Sequence, residues 1–179
     1  MDFSFRFDRW FDGLPHSPKD VGRVERLVLR PRGGGHGGRE TPDSVRMTPE
    51  EGVVGDAWVD DKKGSPDNQI SFINTHVISS LTGGDSEKMV MSGDNVQVDL
   101  ELSEENLPTG TRVRLGAALL EVSSAVHRPC GLFAERFGAT GAKKVARALR
   151  RGLRGRGLLL RVVEAGEVKV GDEIRVERG

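Results

Sequence analysis

The chain has no tyrosine, a single cysteine and no excess of charge of either sign. One cysteine leaves no intrachain disulfide, so nothing ties the protein to an oxidising compartment. Lys+Arg and Asp+Glu both number 27, giving a formal net charge of zero. Global electrostatics therefore point to neither nucleic acid nor an anionic membrane as partner. Long apolar runs are also missing; Leu158–Leu160 is among the longest and falls far short of a membrane span. The first twenty residues, MDFSFRFDRWFDGLPHSPKD, break their aromatics with charges and do not read as a secretory signal. A cytoplasmic location is expected. The histidines, His16, His36, His76 and His127, show no metal-ligand spacing, so no zinc site is expected and His76 is assigned to an ordinary helix.

With 179 residues, 36% hydrophobic and 30% charged, the chain suits one well-packed domain. Residues 1–20 read as an N-terminal arm, whose Phe3, Phe5, Phe7, Trp10 and Phe11 suggest packing on the domain that fills 21–179. Strands are expected over 22–31, 69–74 and 95–103, a hairpin over 111–124 turning near Gly116-Ala117, and two or three short strands over 157–179. In the 95–103 segment Val96, Val98, Leu100 and Leu102 share one face, opposite Gln97, Asp99 and Glu101. Asn74 and the following apolar spacing predict a helix that stops at Gly83. A second, amphipathic helix is predicted over 141–153. Many short strands with glycine turns and few helices give a mainly β fold, a barrel or a sandwich. The Gly-rich stretch RGGGHGGRETPDS (32–44) reads as a loop, because no apolar helix follows it as a dinucleotide fingerprint requires.

Three features bear on chemistry. Cys130 sits in the turn His127-Arg128-Pro129-Cys130, beside two potentially cationic side chains that would favour thiolate. A thiolate serves either as a nucleophile or as a ligand for a soft or high-valent metal. A lone cysteine is also, ordinarily, an inert buried thiol. Second, from Arg136 to Arg161 the chain carries Lys143, Lys144, Arg147, Arg150, Arg151, Arg154 and Arg156 with no acid. This run is a solvated helix face, an anion site for phosphate, or an RNA-binding surface. Third, acids gather instead in SGDNVQVDLELSEENL.

In sequence order GRVERLVLRP, EGVVGDAW, NQISFINTHVISSL, SGDNVQVDLELSEENLPTGTRVRLGAALLEVSS, VHRPCGLFAERFG and RGLLLRVVEAGEVKVGDEIRV resemble the MOSC domain, named for the C-terminal part of molybdenum cofactor sulfurases. The resemblance spans about residues 20 to 178 and is to the small stand-alone bacterial members. It implies a MOSC-type β-barrel with a few short peripheral helices. It also implies a molybdopterin-type cofactor, with Cys130 as metal ligand and His127 beside it as the second catalytic candidate. Arg128, Asp94, Asn95, Lys143, Arg147 and Arg156 become the candidate cofactor-binding residues. The implied activity is reduction of N-hydroxylated or N-oxygenated small molecules, fed by a separate electron-donor protein. The alternatives are a Cys130 persulfide exchanged with a sulfur-donor protein, and a non-catalytic anion- or RNA-binding module. Pyridoxal phosphate is not expected, because no lysine is placed for a Schiff base. One departure stands out: relatives commonly carry a basic residue after the first Gly-Asp, where this chain has Ala57.

Overall fold

The computed structural model describes residues 4–179; Phe3 lies outside them. Seven strands close into a barrel in the order β1 (Val21–Leu27), β10 (Glu173–Glu177), β6 (Arg112–Leu115), β7 (Ala118–Val122), β8 (Leu158–Glu164), β4 (Ile70–Asn74) and β5 (Val96–Asp99). All neighbours are antiparallel except β4 and β5, which run parallel with Phe72 opposite Val96. The crossover between β4 and β5 carries α2 (Thr75–Thr82) and α3 (Ser86–Met89), as a parallel connection demands. A three-stranded sheet, β3 (Gly52–Val53), β2 (Ser44–Thr48) and β9 (Gly166–Lys169), flanks the barrel. Barrel closure, rather than a sandwich, resolves the expected β fold.

The alternation in the 95–103 segment holds: Val96, Val98, Leu100 and Leu102 enter the barrel core with Phe72, Leu115 and Leu160. Each such side chain contributes about 1.5–3 kcal/mol of burial. Gln97 points the other way yet is fully buried, because the α2–α3 crossover covers that face and Met89 O accepts from its Nε2 at 3.0 Å. A second core lies outside the barrel, where Ile73, Val77, Ile78 and Met89 meet Phe133 and Val145 of α4 (Gly131–Arg150). The Asn74 cap forms as expected, accepting from the His76 and Val77 amides, and Gly83 ends α2 in the left-handed conformation.

Three elements differ from the sequence expectation. The arm forms a helix, α1 (Ser4–Asp12), whose Trp10 and Phe11, followed by Leu14, pack on the second core. Helix α4 begins at Gly131, ten residues before the amphipathic segment, and kinks at Gly138 (φ 79°, ψ 157°). The kink interrupts the apolar period, so residues 131–137 did not read as helix. Strand β2 lies just after the Gly-rich loop, where no strand is expected. Its Val45-Arg46-Met47 alternation is short and acquires meaning only once β9 pairs with it.

Two glycines separate close approach from mere turning. A Cβ on Gly157 (φ +100°) would lie 1.9 Å from Phe72 O across the β4–β8 seam, whereas one on Gly138 would meet nothing within 4 Å. Gly157→Ala is expected to lower unfolding free energy by about 3 kcal/mol or more, and Gly138→Ala by about 1 kcal/mol. Urea unfolding of the two variants checks the difference.

Candidate functional site

Two buried aspartates organise one end of the structure. Asp56 follows β3 and caps the one-turn 3-10 helix Ala57–Asp60, accepting from Trp58 N at 2.8 Å. The Arg30 guanidinium donates to Asp56 Oδ1 at 2.6 Å, and Arg30 N reaches Oδ2 at 2.9 Å. Asn95 Nδ2 adds a third donor to Oδ2 at 3.3 Å. Asp94 enters β5 from the left-handed turn at Gly93 and accepts Arg156 Nη1 on both oxygens, at 2.9 and 2.7 Å. Arg156 is itself buried; it donates to Ser92 O at 3.3 Å and lies over the Phe133 ring, 4.7 Å from its centroid. Charge-assisted bonds of this kind allow such groups to be buried at all.

Around these two matched pairs stands unmatched positive charge. Arg39 and Arg136 form no ion pair among the described residues; Arg136 donates to Met91 O at 2.8 Å and to His36 O. Arg39 donates to Gly38 O at 2.5 Å, and its Nη2 would lie 3.3 Å from a Cβ on Gly93. Burial, and then repulsion from Arg136 and Arg30, holds the Arg39 guanidinium below its ordinary pKa. Four guanidiniums thus share two carboxylates. The Gly-rich stretch brings Arg39 here because Leu29 and Glu40 pair as an antiparallel bridge that pinches it shut.

His127 approaches the same cluster, with Nδ1 3.7 Å from Asp94 Oδ1, too long for a hydrogen bond. Burial, then repulsion from Arg156, lowers its pKa to about 4 against the opposing pull of Asp94. His127 is therefore neutral at pH 7, where the sequence suggested a cation. Cys130 lies three residues on, exposed, in extended conformation at the N-cap of α4, its thiol making no capping bond. Among the described residues four buried side-chain polar atoms lack a hydrogen-bond partner. Three of them, Arg39 Nε, His127 Nδ1 and Arg156 Nε, belong to this cluster.

The structure thus gathers Asp94, Asn95, His127 and Arg156, with Cys130 on the chain just beyond. It does not gather the helical cations with them. Arg147 forks onto Asp8 at 2.9 and 3.0 Å, Arg151 pairs with Asp12, and Lys144 stacks on Trp10. Lys143 and Arg128 are exposed. The acidic residues of α1 therefore cover much of the face that the sequence offered as an anion site. Arg30, Arg39, Arg136 and Asp56 were missed; Arg30 and Arg39 flank the glycine run, and only the bridge between Leu29 and Glu40 brings that run home. No group of three His, Cys, Asp or Glu side chains forms a metal-ligand set among the described residues. No helix among them is long and apolar enough to cross a membrane.

The barrel thus presents a cation-rich, partly unsatisfied cluster, with an exposed cysteine on the chain just beyond it. The chain belongs to the MOSC domain family, whose model matches residues 60–175. Among solved structures it is similar to the YuaD protein from Bacillus subtilis, with TM-score 0.62 and 22% identity over 87% of this chain and 95% of that one. It is also similar to YiiM from Escherichia coli, with TM-score 0.57 and 21% identity over 88% and 70% of the two chains. YiiM from Geobacillus stearothermophilus gives TM-score 0.57 and 16% identity over 88% and 75%. At these identities the likeness is one of fold. No curated protein matches the sequence.

The His127 environment sets a pH dependence. Its pKa is about 4 folded against 6.5 for the free side chain, so between these values the unfolded chain binds a proton that the folded chain refuses. Stability contributed by neutral burial is present above pH 6.5 and lost as pH falls through this window, by roughly 3 kcal/mol in all. In His127→Gln that part of the slope is expected to vanish, as measured by urea unfolding from pH 7 to pH 4.

Proposed function

We propose that this protein is a cytoplasmic molybdenum cofactor protein that reduces N-hydroxylated or N-oxygenated small molecules. The MOSC family is associated with that cofactor. The observation that carries the reading is the concentration of unsatisfied buried donors and surplus guanidinium charge beside an exposed cysteine. The residues fit an anionic, acceptor-rich group. Arg39 and Arg136 suit its phosphate, since guanidinium forks match phosphate oxygens and neither is spent on a carboxylate among the described residues. Arg156 and Asp94 hold the floor of the site, and Asn95 links Asp94 to Asp56. Arg30 and Arg39 supply the positive charge that Ala57 does not. Cys130 Sγ would be the protein's ligand to the metal, since the described side chains offer no fuller set. When bound, the cofactor supplies the redox chemistry, and the protein supplies ligand, orientation and electrostatics. Electrons come from a separate donor protein.

A second reading is favoured by the exposure of Cys130, whose thiol makes no capping bond to α4. Cys130 would then hold a persulfide sulfur received from a donor protein and yield it to an acceptor by thiol exchange. The RNA-binding reading is weakened, because Lys144, Arg147 and Arg151 are engaged by α1.

Molybdenum by elemental mass spectrometry, with pterin fluorescence, on protein made in a cofactor-competent host separates the readings. Near-stoichiometric metal is expected in the wild type, with loss in Cys130→Ser. Arg39→Ala is expected to retain the fold and to weaken cofactor retention roughly tenfold or more, the effect of one charge-assisted bond. No molybdenum together with a one-sulfur mass gain on Cys130 would establish the second reading instead.

A further inference from the structure

Where the N-terminal arm meets the domain it leaves a pocket of about 220 Å³ that shares no residue with the charged cluster. Its apolar walls come from three places: Phe11, Leu14 and Pro15 of the arm, Val77 of α2, and Leu102 and Leu153 of the domain. A dry cavity of about 150 Å³ lined by Leu, Ile and Phe is enough to hold benzene. The volume here therefore takes a single ring with a short substituent.

Polar groups also reach the pocket, but nearly all are engaged within the chain. Asn74 caps α2 through Oδ1, and its Nδ2 donates to Ser17 Oγ at 2.9 Å and Leu100 O at 3.0 Å. Glu101 accepts from Ser103 N at 2.8 Å on one oxygen and from Ser103 Oγ at 3.1 Å on the other. Asp12 is paired with Arg151. Arg154 is the one non-glycine residue with positive φ (51°) among the described residues, a conformation that costs an L side chain energy. Its Nη1 donates to Leu102 O at 3.2 Å, Ser103 O at 3.5 Å and Leu107 O at 2.7 Å. Burial holds this guanidinium below its ordinary pKa, against the attraction of Glu104 and then Glu101. Asp12 and Arg154 are thus each set against opposite charge, and the wall offers a ligand no clear surplus of either sign. Two groups remain. The His16 imidazole makes no hydrogen bond or ion pair among the described residues, and the Ser17 hydroxyl accepts from Asn74 without donating to any of them. A charged ligand would leave water for a wall without a free counter-charge. A neutral one gives up little and gains the apolar surface.

We propose that this pocket binds a small neutral ring compound bearing one alcohol or carbonyl group, its ring against Phe11, Leu14, Val77 and Leu102 and its polar group on His16 and Ser17. Much of the wall belongs to the arm, so occupancy holds residues 11–17 onto the domain. Nothing in this site rests on the cofactor reading.

The test uses the full-length protein as purified and follows the imidazole Cε1–H resonance of His16 by NMR at pH 8, assigned by its loss in His16→Gln. Benzyl alcohol is the probe; benzylamine and benzoate, of similar shape, supply a charge of each sign. The expected result is a saturable shift with benzyl alcohol and at least tenfold weaker binding of both ions. Leu153→Trp, which fills the pocket, is expected to weaken benzyl alcohol binding at least tenfold. Leu153 is only partly buried, so the variant is expected to fold, which far-UV circular dichroism verifies; if it did not, the contrast among the three probes would decide alone. No saturable shift with benzyl alcohol, equal or tighter binding of either ion, or undiminished binding to a folded Leu153→Trp would overturn the proposal.

Discussion

The buried pair between Asp94 and Arg156 is the constraint on which the site depends. Both partners are almost fully withdrawn from water, and Nη1 of Arg156 bridges both carboxylate oxygens. Removing either partner of such a pair strands a buried charge, at a typical cost of about 3–5 kcal/mol. The pair spans a long separation in sequence and fixes the entry to β5 against the entry to β8. It also presents Phe133, at the start of α4, with a flat cation to stack on. The turn that carries Cys130, the kinked helix behind it and the turn that carries Gly93 are thereby tied to one another. Asp56 and Arg30 repeat the device at the neighbouring loop, and Asn95 joins the two.

Once each carboxylate has its guanidinium, the remaining cations find no carboxylate among the described residues. Arg39 and Arg136 satisfy themselves on backbone carbonyls, which neutralise no charge. Natural structures leave few buried polar atoms without partners, and here three such atoms cluster at one place. His127 responds to this surplus by staying neutral.

Much of the barrel was legible in the sequence because its strands carry period-two patterns. The valines and leucines of 96–102, the turn at Gly116-Ala117 and the Asn74 cap each state their conformation locally. Strand β2, the helix in the arm and the first turns of α4 were not legible, since their definition comes from partners distant in sequence. The site divides in the same way. Cys130, His127, Asp94, Asn95 and Arg156 sit in compact motifs that are conspicuous in the sequence. Arg39 was hidden in a glycine-rich loop whose closure depends on the bridge between Leu29 and Glu40. The basic run on α4 drew attention because sequence shows charge without showing its partner; Asp8 and Asp12 of α1 were already committed to it.

The central claim is that the anion-receptive site is the arginine cluster beside Cys130, and not the basic face of α4. A crystal structure of the protein purified from a cofactor-competent host tests it most directly. The account predicts metal density bonded to Cys130 Sγ and a phosphate contacted by Arg39 and Arg136. Cofactor bound elsewhere, with its phosphate on Lys143 or Arg147 and Cys130 free of metal, would contradict it.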